Sequence, residues 1–175
     1  AVSVGEMDAP PGAVVATGWV GWSDANDLAL SHAVIPGRNG LAQRISTQGT
    51  GASAASITTY PSALKHEGPV ILSFWYRRPD VSGQPLDAQV IIGSSNKTTY
   101  RALLPGSQKW AYAEYYVPAA RHGADRLVFR VQNGAVLELD DVGLRPASEA
   151  EMATYGPPAR DASSPAEEVD LVATD

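Results

Sequence analysis

A side-chain period of two runs through most of this chain and leaves little room for helix. In "PVILSFWYRR" (residues 69–78), Val70, Leu72, Phe74 and Tyr76 alternate with Ile71, Ser73, Trp75 and Arg77. Successive side chains of a strand point to opposite faces, so apolar residues in both sets predict a central strand covered on much of both sides. "KWAYAEYYVP" (109–118) alternates Ala111, Ala113, Tyr115 and Val117 with Tyr112, Glu114 and Tyr116. "DRLVFRVQNGAVLELDDVGL" (125–144) reads as a hairpin, because Asn133-Gly134 supplies the positive φ angles of a two-residue type I′ turn. Shorter runs at "GLAQRIST", "ASITTY" and "AQVIIGSS" are bounded by Gly, Ser and Pro. Parallel strands need crossover helices, and no helical period separates these runs. The pattern predicts an all-β fold, an antiparallel sandwich or barrel.

Charge divides the chain. Of the net −6, residues 1–145 contribute nothing, with twelve Lys/Arg against twelve Asp/Glu, whereas residues 146–175 carry Glu149, Glu151, Asp161, Glu167, Glu168, Asp170 and Asp175 against Arg160 alone. A neutral body without a basic cluster argues against a nucleic-acid partner. No apolar run reaches the length of a membrane helix, which argues against membrane insertion. Cysteine is absent, so disulfides and thiolate metal sites are excluded. The composition predicts a β-sandwich over residues 1–146 and an acidic Pro/Ala/Ser-rich linker or tail over 147–175, with room for a short helix near "SEAEMA".

The order of segments resembles the jelly-roll carbohydrate-binding modules of the xylan- and glucan-binding type, within the galactose-binding-like β-sandwiches. The residues that carry the resemblance are "VGEMD", "TGWVGWSD", "PGRNGLAQRIST", "LKHEGPVILSFWYRRPD", "KWAYAEYYVP" and the closing "LELDDVGL", spanning about Val4 to Leu144. The opening segment departs from the family pattern, with Met7 in place of its aromatic and Asp8 in place of its Glu. The resemblance implies a jelly roll, a non-catalytic role in binding a polysaccharide or oligosaccharide, a covalently linked catalytic partner domain, and an extracellular or cell-surface setting.

It also implies a structural calcium where the first and last strands meet. Asp8, with Glu6 as the second choice, and Asp140 would supply carboxylates, and loop carbonyls would complete the oxygen shell of a hard cation. Strict alternation puts Asp140 on the face of Val142 and Leu144 and Asp141 on the other. If that face is core, Asp140 needs a cation to offset its burial. The alternative is that both aspartates are solvated or paired with Arg38, Arg44 or Arg145.

Sugar rings present an apolar C–H face that stacks on Trp or Tyr, while polar neighbours bond the hydroxyls. The chain has four Trp and seven Tyr against two Phe, a bias toward rings that tolerate a wet edge. Trp75 and Arg77 should leave the central strand on one face, Tyr112, Glu114 and Tyr116 form a second stripe, and Arg126, Val128 and Arg130 a third. Packing inside the sandwich is the competing reading for each ring. Trp19 and Trp110 match positions that are structural in the resembling modules, and Trp22, in a Gly-flanked loop-like stretch, is the better candidate for a loop-borne contact.

Catalysis has little support. Glu114 and Glu138 are the strand-borne glutamates, and nothing in the sequence sets them across a glycosidic bond. His32, His66 and His122 are scattered without ligand spacing, and there is no Gly-x-Ser-x-Gly elbow. Two functions remain: a carbohydrate-binding module, or a jelly roll used for structure or protein interaction in a larger assembly. Arg77, Arg101, Arg126 and Arg130 leave room for an acidic polysaccharide, since guanidinium groups bind carboxylates bidentately.

Overall fold

In the computed structural model the described residues are 9–24, 27–47, 53–59, 68–79, 87–94, 97–118, 126–156 and 169–174. The strands are β1 (Trp19–Ser23), β2 (His32–Pro36), β3 (Leu41–Ser46), β4 (Ala54–Thr59), β5 (Val70–Arg77), β6 (Ala88–Ser94), β7 (Lys97–Leu103), β8 (Ala111–Val117), β9 (Arg126–Gln132) and β10 (Val136–Pro146). Helix α1 (Glu149–Tyr155) follows, and then β11 (Val169–Asp170) and β12 (Val172–Ala173). They form two sheets, β1-β4-β9-β6-β7-β11 and β12-β8-β5-β10-β3-β2, antiparallel throughout except where β11 joins β7. The architecture is the antiparallel β-sandwich that the alternation predicts.

Alternation decides the core. From β5, Val70, Leu72, Phe74 and Tyr76 point inward, and Phe74 meets Phe129 of β9 edge-on across the layers at 5.0 Å between centroids. Trp19 closes the other side of Phe129 at 5.9 Å, and is buried as expected of a structural ring. Burying each large apolar side chain contributes about 1.5–3 kcal/mol, and such ring pairs about 0.5–1.5 kcal/mol more. His32 of β2 bonds Ser31 Oγ and the carbonyl of Ser56 in β4, tying the two sheets together at one end.

The 133–134 turn differs from the expectation. Asn133 and Gly134 do have positive φ, 56° and 85°. Yet β9 and β10 lie in different sheets, so the segment is a corner between layers and not a hairpin. The backbone N–H of Asn133 donates to the Ser53 carbonyl and that of Gly134 to Thr47 Oγ1, partners far away in sequence. The stretch holding Trp19 and Trp22, expected as a loop, is edge strand β1.

The expected boundary at 146 is not where the fold ends. Ser148 caps α1, accepting from the Glu151 N–H while Glu151 accepts from the Ser148 N–H. Beyond it, β11 and β12 add a strand to each sheet, and Leu171 between them is buried in the core. Composition hid this because four paired residues and one buried Leu are enough to dock a segment that is otherwise acidic.

Candidate functional site

The outer face of the second sheet gathers most of the residues singled out in the sequence. Register sets Trp75 opposite Tyr112, Ser73 opposite Glu114 and Ile71 opposite Tyr116 on neighbouring β5 and β8. The first two stripes therefore share one face. The third does not, since Arg126, Val128 and Arg130 lie on β9 in the other sheet, as Arg101 does on β7.

Tyr112 is the most exposed ring of this face, at 52%. Its position is fixed on two sides: the ring tilts against Trp75 at 5.2 Å between centroids, and the hydroxyl donates to Glu114 Oε2 at 2.6 Å. Desolvation against the sheet, then the bond to Glu114, holds the phenol above its ordinary pKa, so it stays a neutral donor through the physiological range. Glu114 also accepts from Thr174 Oγ1 at 2.6 Å, so the segment after β12 steadies the same group. Trp75 is half-buried, with the Arg38 guanidinium 3.5 Å from its ring centroid. Its exposed outline is an edge beside Tyr112 more than an open plate.

Tyr116 points outward as expected but is only 2% exposed, because the α1 residue Tyr155 packs on it at 6.1 Å. It offers no surface to a ligand. Trp22, 54% exposed, lies on β1 in the opposite sheet and is not part of this face.

Toward the other end of the face, Glu138 of β10 stands between Arg44 of β3 and Arg77 of β5 in direct register. Its carboxylate is fully buried, and each oxygen is chelated by one guanidinium. Arg44 donates from Nε and Nη2 to Oε2 at 2.8 and 2.7 Å, and Arg77 from the same pair of atoms to Oε1 at 2.6 Å each. Arg77 also lies over the Trp110 ring at 4.7 Å, which fixes the guanidinium plane. An open hollow of about 580 Å³, lined by Arg44, Ser46, Pro79 and Val136, adjoins this group. Arg38, Arg44 and Glu138 were not among the expected ligand contacts; sequence offered Arg38 and Arg44 only as partners for the closing aspartates.

Those aspartates have their own account. Opposite Phe74 the closing strand carries two residues, Asp141 and Val142, and Asp141 adopts φ 51°. This bulge reverses the expected faces: Asp140 points outward with Glu138, while Val142 and Leu144 remain core. Residues 37–39 fold over Asp140, whose Oδ2 accepts from the N–H of Arg38 at 2.8 Å and Asn39 at 3.3 Å, and whose Oδ1 accepts from the N–H of Asp141 at 2.8 Å. A Cβ at Gly37 would stand 2.6 Å from Oδ2, which explains the glycine. The carboxylate is buried against N–H donors, a set that suits an anion and not a cation, and Arg38 already pairs Asp141 at 3.7 Å. Among the described residues Asp140 is thus held by N–H donors, and no cluster of metal-ligating side chains forms among them. Asp8 and Glu6 lie outside the described residues.

With this geometry in place, comparison with solved structures places the architecture. The K3 cleaved adhesin domain of Lys-gingipain from Porphyromonas gingivalis superposes with a TM-score of 0.56 at 14% identity, covering 83% of this chain and 99% of that one. A family 4 carbohydrate-binding module gives 0.51 at 12% identity over 74% and 95%. The family 11 carbohydrate-binding module from Clostridium thermocellum, solved with a mixed-linked β-1,3-1,4 tetrasaccharide, gives 0.50 at 18% over 85% and 99%. The fold is a jelly-roll β-sandwich, the architecture that this adhesin domain and these carbohydrate-binding modules share. No protein-family description matches the sequence, and no curated protein does.

Proposed function

We propose that this jelly roll is a non-catalytic carbohydrate-binding module, which binds a polysaccharide across the outer face of its second sheet and supports an attached partner domain outside the cell or at its surface. The observation that carries the reading is Tyr112: a ring half open to solvent, toward the β8 side of the sheet, immobilised by Trp75 and Glu114 before any ligand arrives. A surface aromatic held in one rotamer loses little entropy on stacking against a sugar, and fixed polar neighbours orient the hydroxyls. Flanking donors and acceptors come from Arg38, Arg77 and Glu114. Binding through such a face raises the concentration of a tethered partner on the polymer.

The carboxylates support a non-catalytic role. Glu138 is buried between two guanidinium groups, and Glu114 is engaged by Tyr112 and Thr174. Among the described residues neither faces another carboxylate across an open cleft, as glycoside hydrolysis requires. The second reading, a domain of assembly, is favoured by one feature, the exposed Val20 and Trp22 side by side on edge strand β1.

Affinity electrophoresis through gels containing soluble polysaccharides tests the proposal. The native chain should be retarded by at least one polymer, and Tyr112→Ala should migrate freely in the same gel. Retardation unchanged in Tyr112→Ala but lost in Trp22→Ala would move the site to the other sheet, and free migration in every gel would favour assembly.

A further inference from the structure

On the reading of the face as a glycan site, we infer that Arg44 and Arg77 form a subsite for the carboxylate of an acidic sugar, so that the preferred polymer carries uronate residues. The inference starts from charge. Two guanidinium groups converge on the single carboxylate of Glu138, so this triad is a local patch with one net positive charge. Elsewhere on the face Arg38 pairs Asp141 and Arg145 pairs Glu151, while the anionic Asp140 and Glu114 are held by neutral N–H and hydroxyl donors away from the triad.

Geometry sharpens it. Each guanidinium presents five N–H donors in a rigid fork. Arg44 and Arg77 commit Nε and Nη2 to Glu138, which turns Nη1 of each away from that carboxylate. Both side chains are partly open to solvent, at 44% and 30%. Glu138 holds both planes and Trp110 steadies that of Arg77, so an incoming carboxylate meets donors that are already oriented. The adjoining hollow supplies Ser46 as a hydroxyl partner and Pro79 and Val136 as an apolar floor, the mixture a carboxylated pyranose requires.

The subsite also lies in line with the ring. Arg77 is two residues beyond Trp75 on the same face of β5, about 7 Å along the strand, and Tyr112 is one strand away from Trp75, about 5 Å across. An extended polymer stacked on Tyr112 passes over Arg77 and reaches the Arg44 hollow with its next residues.

Titration calorimetry with polygalacturonate, alginate and glucuronoxylan, each beside its carboxyl-reduced counterpart, tests this, with dextran sulfate as a polyanion without uronate. One uronate polymer should bind at least tenfold more tightly than its reduced form, and more weakly as salt rises. Arg44→Gln should lower that affinity about tenfold, and Arg44→Lys should not restore it, because a point charge cannot replace the fork. Both variants are checked for native unfolding by circular dichroism, and Arg44 is the more exposed partner of the pair. Equal affinity for a polymer and its reduced form, no change in Arg44→Gln, or dextran sulfate binding as tightly overturns the inference while leaving the glycan-binding reading intact. Failure of every polymer, neutral or acidic, overturns that reading and this subsite with it.

Discussion

Replacing Glu138 by Gln isolates the group around which the face is organised. The native carboxylate receives four N–H contacts of 2.6 to 2.8 Å from two arginines and is fully buried. Charge-assisted hydrogen bonds contribute about 1.5–3 kcal/mol each, but four on one group are not additive. Glutamine keeps one acceptor oxygen and turns an NH₂ toward the other guanidinium, so one arginine is satisfied and its counterpart faces a donor. Removing one partner of a buried pair costs about 3–5 kcal/mol, and the partial exposure of Arg44 and Arg77 lets them recover some hydration. The expected loss is therefore near the lower bound, about 3 kcal/mol, or a fall of about 6–12 °C in Tm for a chain of this size. Urea unfolding followed by tryptophan fluorescence measures it as a lower midpoint at unchanged slope. A loss under about 1 kcal/mol, the value of an exposed surface pair, would refute the description of Glu138 as a buried keystone.

Three further outcomes follow from particular contacts. Asp140→Asn sets an amide NH₂ against backbone N–H groups of residues 38–39 or 141 and should destabilise by about 2 kcal/mol in the same assay; a neutral result would mean that the loop over Asp140 is not held by its carboxylate. Leu171→Ala should cost about 2–3 kcal/mol if β11 and β12 are part of the sandwich, whereas a linker would show no change. The Arg145 guanidinium, with help from the Ser148 backbone N–H, lowers the Glu151 pKa to about 2. Its folded value lies below the unfolded one, so its contribution is complete above about 4.5 and is lost as pH falls toward 2. Carboxyl NMR titration should find this low value in the native chain and one closer to 4.5 in Arg145→Gln; an unchanged value would reject the pair.

Local alternation made much of the sandwich legible. The runs that became β5 and β8 are visible from their period of two, those of β3, β4 and β6 from the Gly, Ser and Pro that bound them, and the pairing of Trp75 and Arg77 on one face follows from period two alone. What failed was everything decided by distant partners. Asn133-Gly134 has the torsions of a hairpin turn, yet torsions do not say which sheet the next strand joins. A single residue in left-handed conformation, Asp141, reversed the face of Asp140, and Asp adopts that conformation without any signal of the kind Gly gives. Glu138 looked solitary because its arginines stand 94 and 61 residues away. Tyr116 was read from its strand, which shows the direction of the ring but not the helix that covers it.

Mapping backbone amide shifts while a bound oligosaccharide is titrated tests the central claim most directly. The account predicts that the largest changes fall on residues 73–77 and 110–114, with the Arg44 side chain following for an acidic ligand. Changes concentrated instead on β9 around Arg126 and Arg130, or on β1 around Trp22, would contradict it.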